Sequence, residues 1–212
     1  MQGRKLLNID DAFAYELITL YRFKKDKQAL TEEYLNILPK NPLMVNQAQN
    51  ALVTLFEGPA DYDMLRVALL KRIQKDPQQV VFVNMLTWQF LQQKDFDQAL
   101  NQALALSRRT INDGSDIYEL CSTLVYNEAY DTAIRGYEYL ISKGKEQPFY
   151  VTAKIELINT KNLKVTAGKY VASDLIELEK ITSICLPSLV KTRRPLLLCS
   201  GWPICKYLSC IS

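Results

Sequence analysis

The chain contains no histidine. That absence removes the commonest general base at neutral pH and the commonest zinc ligand. Cysteine is scarce over most of the length: Cys185, Cys199, Cys205 and Cys210 crowd into the last 28 residues, leaving Cys121 alone in the body. A single thiol excludes a disulfide framework there. The tail spacing Cys199-x5-Cys205-x4-Cys210 does not suit zinc. No run of 18 apolar residues occurs, so nothing reads as a membrane span. The first 25 residues lack the continuous apolar core of a secretion signal. A phosphate-cradling loop, an HExxH helix, a GxSxG turn and paired CxxC motifs are all missing. The chain is therefore expected to be no enzyme and to need no metal or cofactor.

Strong charge of one sign is missing too. The formal net charge is +3, from 26 basic and 23 acidic residues. Residues 182–212 hold four basic residues and no acidic one, so residues 1–181 carry 26 − 4 = 22 basic against 23 acidic groups. A body so close to neutral has no field to draw it to nucleic acid or an anionic membrane.

What the chain does have is a repeat. "QQKDFDQALNQALAL" (92–106) and "YNEAYDTAIRGYEYL" (126–140) correspond at an interval of 34: Phe96 with Tyr130, Ala99 with Ala133, Ala103 with Tyr137 and Leu106 with Leu140. Two earlier copies are "FEGPADYDMLRVALLKRIQKDP" and "YRFKKDKQALTEEYLNILPKNP". The corresponding apolar position falls at Leu30, Leu65, Ala99 and Ala133, in steps of 35, 34 and 34. Each unit reads as two amphipathic helices around a polar break. In the first helix apolar residues recur at i, i+4: Leu17/Tyr21, Leu52/Phe56, Leu86/Phe90 and Leu120/Leu124. Helices are predicted near 10–24, 27–38, 44–57, 61–75, 78–92, 95–110, 114–127 and 130–143. A lone hairpin cannot bury its apolar face, so a period of this length implies stacked units with a continuous core.

These positions resemble the tetratricopeptide repeat. The resemblance implies an all-α solenoid of helix–turn–helix repeats, a right-handed superhelix with a concave groove. Four units are expected at 11–44, 46–79, 80–113 and 114–147, with a degenerate fifth hairpin at 148–183. The chain departs from the pattern where the first helix should carry a small residue: Ile18, Val53, Thr87 and Cys121 stand there. More narrowly, phrases such as "YELITLYRFKKDKQALTEEYLNIL" and "LTWQFLQQKDFDQAL" resemble an internal segment of long tetratricopeptide-containing proteins of Bacteroidetes. Such proteins are usually exported to the periplasm or cell envelope, which implies a chain that is an internal piece of a longer one.

Family geometry places Tyr15, Thr19, Arg22, Asn50, Thr54, Asn84, Trp88, Leu91, Tyr118, Ser122 and Tyr126 in the groove. The set is amide, hydroxyl and aromatic, with Arg22 its one cation. It suits an extended peptide or protein partner held by amides and by aromatic anchors at Trp88, Tyr118 and Tyr126. Trp88 reads either as such an anchor or as packing between adjacent first helices. Tyr21, Tyr34, Phe56, Phe90 and Tyr137 read as core, Cys121 as inert core, and Glu32-Glu33 as a solvated face. "RFKKDK" (22–27) reads as an inter-helix turn, and Arg108-Arg109 as a helix end. Residues 184–212 lose all acidic residues and carry three prolines, and read as a non-native or disordered tail. Two functions follow: a protein-interaction scaffold, or an RNA-binding repeat of the pentatricopeptide type, which shares a similar period. The near-neutral body favours the scaffold, without nucleic acid.

Overall fold

The computed structural model describes residues 13–110, 112–176 and 179–180. The tail expected at 184–212 lies outside them. Among the described residues there is no strand. The α-helices, in order, are α1 Ala14–Lys24, α2 Lys27–Ile37, α3 Val45–Leu55, α4 Pro59–Lys75, α5 Val80–Gln92, α6 Phe96–Arg109, α7 Ser115–Tyr126, α8 Tyr130–Ser142 and α9 Tyr150–Thr166. A 3-10 turn, Pro42–Met44, leads into α3. Residues 172–176 and 179–180 are also helical, where the second helix of a fifth hairpin was expected. The architecture is an all-α helical-repeat solenoid.

Three hairpin turns share one device. Lys25, Lys94 and Glu128 adopt left-handed backbone at φ of 52°, 57° and 59°. The following N–H then reaches back to the preceding helix: Asp26 to Tyr21 O at 3.0 Å, Asp95 to Phe90 O at 2.9 Å, Ala129 to Leu124 O at 2.9 Å. This closes orphan carbonyls at the helix end. Asp26 and Asp95 then cap the next helix, accepting from the N–H of Ala29 and Gln98. Chain reversal is tight, and α1–α2, α5–α6 and α7–α8 pack closely as pairs.

The second unit breaks this pattern. Pro59 stands where two other units cap their first helix with a backbone N–H, Gln93 to Gln89 O and Asn127 to Thr123 O, and it has no N–H to give. Gly58 before it is forced extended, at φ −162° and ψ 177°. The helix α3 therefore stops at Leu55, and α4 starts at Pro59, ahead of the predicted ends at 57 and 61. The two helices barely touch, and α4 packs on α5 instead. The linking segment is held from outside. Lys27 Nζ lies 2.9 Å from both Glu57 Oε2 and Asp61 Oδ2, while Asp61 accepts from the Glu57 N–H at 2.8 Å.

The four positions that set the period, Leu30, Leu65, Ala99 and Ala133, are all 0% exposed. The buried apolar side chains form two clusters. One runs from Ala14 to Ala99 and the other from Leu100 to Leu157, with Leu91 packed against both. Tyr34, Phe56, Phe90 and Tyr137 are buried as expected, and Tyr21 packs partly buried on the first cluster. In α1 the buried residues are Ala14 and Ile18, while Leu17 is only half-buried. Glu33 corrects the sequence reading: it is buried, whereas Glu32 is exposed. Adjacent helical residues point about 100° apart, so one of the pair turns into the α2 interface while the other meets Arg72.

Ion pairs join neighbouring units. Arg72 donates to Glu32 at 2.6 Å and to Asn36 at 2.8 Å. Arg135 donates to Asp97 at 2.7 Å and to Asn101 at 3.1 Å. Lys164 meets Asp131 at 2.7 Å and Asp174 at 2.9 Å. In the fourth unit Cys121 replaces the expected small residue of the first helix. The room is returned by the second helix, because Gly136 faces the Cys121 sulfur with no Cβ between them.

Candidate functional site

The α5 residues Asn84, Thr87, Trp88 and Leu91 are spaced i, i+3, i+4, i+7 and so share one face. On α7, Asp116, Glu119, Leu120 and Thr123 repeat that spacing. The two faces confront each other across a cavity of about 250 Å³, closed behind by Ala103 and Leu106 of α6. Three of the eleven sequence-derived groove residues, Asn84, Trp88 and Leu91, are brought together here. Trp88 is half-buried: its ring packs against the first core cluster and also lines the cavity. The packing expected of this residue is present, and the same ring borders open space.

Tyr118 lies elsewhere. It is partly buried against Phe149, with ring centroids 5.1 Å apart and an interplanar angle of 28°, and it meets Tyr137 edge-on at 6.1 Å. Burial raises its phenol pKa above the ordinary value. The forward face of α7 is thereby filled by aromatic rings, where the same face of α5 leaves a cavity. Tyr126, at the end of α7, is 88% exposed. Tyr15, Thr19 and Arg22 are exposed on α1, and Asn50 and Thr54 on α3. The Tyr15 hydroxyl accepts from the Asn41 amide at 3.4 Å.

Three hydroxyls of the expected groove have already committed their proton. Thr19 donates to Tyr15 O at 2.9 Å, Thr54 to Asn50 O at 2.7 Å and Ser122 to Tyr118 O at 3.1 Å. Each satisfies a carbonyl of its own helix, so a partner meets these hydroxyls as acceptors only.

Sequence reasoning missed Asp116, Glu119 and Thr123. Their signal is the i, i+3, i+4, i+7 set on the face of α7 opposite to the one chosen. In a stack of units the forward face of one helix meets the backward face of the next, so both faces are needed to define a groove. Cys121 behaves as expected: it is buried, and burial pushes its thiol up to about 12 from 9.0. The basic pair Arg108 and Arg109 closes α6.

Among the described residues no three His, Cys, Asp or Glu side chains converge as a metal site. No described helix is long and apolar enough to cross a membrane. No family model matches the chain, and no curated protein matches it. Among solved structures, the crystal structure of MamA protein is similar, at 20% identity and a TM-score of 0.36. That match covers 82% of this chain and 93% of the other.

Proposed function

We propose that this chain is a non-enzymatic scaffold that holds a peptide or protein partner in the groove formed by the first helices of its units. The single observation behind this reading is the α5–α7 cavity, where an aromatic ring, an aliphatic wall and polar groups converge on one opening. Interaction surfaces are built this way, with a central aromatic anchor inside a polar rim. The four expected repeats and the fifth hairpin belong to the same proposal, as does the likeness to exported Bacteroidetes repeat proteins. Of the sequence-derived anchors, Trp88 is retained as the centre of the site. Tyr118 supports the junction with α9, and Tyr126 is an outer contact. RNA is the less favoured guest, because the cavity presents Asp116 and Glu119 and no cation to a phosphate backbone.

Selection of random peptides displayed on phage against the full-length chain tests the reading. Enriched clones should compete with one another and lose affinity by about 1–2 kcal/mol with Trp88→Ala. Circular dichroism must show the variant folded. Absence of enriched clones, or clones indifferent to Trp88→Ala, would remove the groove from consideration.

A further inference from the structure

We infer that the α5–α7 cavity is a socket for one lysine or arginine side chain of a partner polypeptide. This rests on the scaffold reading and adds the chemistry of the guest. Size comes first. About 250 Å³ falls below the roughly 300–1,000 Å³ of small-molecule sites, so the space suits a single side chain. Its walls come second. Trp88 and Leu91 face Leu106 and Ala103, an apolar sleeve suited to the aliphatic stem of a long cationic side chain. The Trp88 ring face also attracts a cation.

Charge decides the rest. Asp116 and Glu119 stand three apart on α7, on one side of the helix, and both line the opening. Among the described residues neither carboxylate is engaged in an ion pair or side-chain hydrogen bond. Acids at the other junctions between units are matched from within. Glu32 meets Arg72, Asp61 meets Lys27, Asp97 meets Arg135 and Asp131 meets Lys164. Among the described residues no cation lines the α5–α7 cavity itself: Lys143 donates to the lining Asn112 at 3.3 Å and to Ser107 at 2.9 Å, and forms no ion pair with Asp116 or Glu119. A guest lysine or arginine completes the same pairing from outside. A carboxylate or phosphate guest would be repelled, and a purely apolar one would leave the rim without a partner.

A positional-scanning array of N-acetylated, C-amidated hexapeptides, each sublibrary fixing one residue at one position, is probed with the full-length chain. The expected result is enrichment of lysine or arginine at one position. The best peptide is then titrated in solution against its norleucine or citrulline counterpart, following Trp88 fluorescence in a Trp202→Phe background. Loss of the charge should weaken binding at least about tenfold. Asp116→Asn combined with Glu119→Gln should do the same while leaving the chain folded, with a small drop in melting temperature from loss of the first-turn acid of α7, and about 0.5 M salt should weaken the parent complex. Glu119→Gln alone, a change on the exposed rim, provides a second readout if the double variant melts early. Peptides bound without preference for a cation, or bound equally by the neutralised variants, would overturn the inference and leave the scaffold reading standing. An array without any bound peptide would overturn both.

Discussion

Replacing Gly136 with alanine sets two effects against each other. Glycine within a helix is about 1 kcal/mol worse than alanine, so propensity alone makes the substitution stabilising. Packing opposes it. A Cβ at residue 136 collides with the Cys121 sulfur and comes within 3.3 Å of Leu100 Cδ1. Cys121 and Leu100 are each 0% exposed, so neither has open space to retreat into. The α7–α8 pair must separate, and overpacking of this kind costs about 1–3 kcal/mol. An overlap this close belongs at the upper end, leaving a net loss of about 1–2 kcal/mol after the propensity gain. Cys121→Ala supplies the control. It removes the sulfur, and the nearest remaining atom of that residue, Cβ, lies 3.9 Å from the new methyl, an ordinary contact. Alone it leaves a small void worth about 1 kcal/mol. Together the two changes exchange a sulfur for a methyl, so the double variant should be at least as stable as Cys121→Ala. Urea denaturation followed by circular dichroism measures the cycle, with an expected coupling of about 2 kcal/mol. Additive effects, or a stabilising Gly136→Ala in the parent, would refute the proposed division of space between the two helices.

Ala99→Trp and Ala133→Trp should each lower the melting temperature, since both sites are 0% exposed and an indole overpacks them by about 1–3 kcal/mol or more; unchanged midpoints would contradict the register. Tyr34→Phe should stabilise by about 1 kcal/mol, because its hydroxyl is buried without a hydrogen-bond partner among the described residues and pays desolvation for nothing; a loss in urea titration would refute this. Cys121 ties stability to alkaline pH. Its thiol is held up to about 12 in the folded state against an ordinary 9.0, so above that lower value the unfolded chain loses the proton first and stability falls as pH rises. Substituting Cys121→Ala should flatten part of that fall, as urea midpoints on either side of pH 9.0 would report.

The helices were legible because their apolar spacing survives divergence: the positions that set the 34-residue interval are buried in all four units. The turns at Lys25, Lys94 and Glu128 were legible as polar breaks, although their left-handed residue is not glycine, the usual cue. The second hairpin has its two expected helices around a polar break, but not the close packing of the other pairs. Its "GP" dipeptide carried the signal, since a residue without an N–H cannot extend α3, but the break was treated as one more turn of the same kind. Burial of Glu33 was hidden because a single sequence shows its acid and not the neighbours that accept it. The groove was read from one face of each first helix. That face includes Asn84, Trp88 and Leu91 of the α5–α7 cavity lining and leaves out Asp116 and Glu119, which the next helix presents from its opposite side. The placement of Tyr118 depended on Phe149, a residue outside the clear repeats that no periodic rule could connect to it.

The open second hairpin can be restated as a defect in a one-dimensional lattice. A repeat array melts according to the couplings between neighbouring sites, and uniform couplings give a single transition. Here the couplings are uneven. From α4 to α9 each helix packs against the next without interruption, and α1 with α2 forms a second closed pair. Between these blocks stands α3, which contributes little bulk to the core: its buried residues are Ala48, Ala51 and Leu52. A chain that reads as a uniform series therefore carries one weak nearest-neighbour step, between α3 and α4, bridged by the packing of α2 directly on α4 through Arg72 with Glu32 and Lys27 with Asp61. A melting front arriving from the amino-terminal side therefore bypasses the loose α3–α4 step and runs from α2 into α4 and α5 through the shared core.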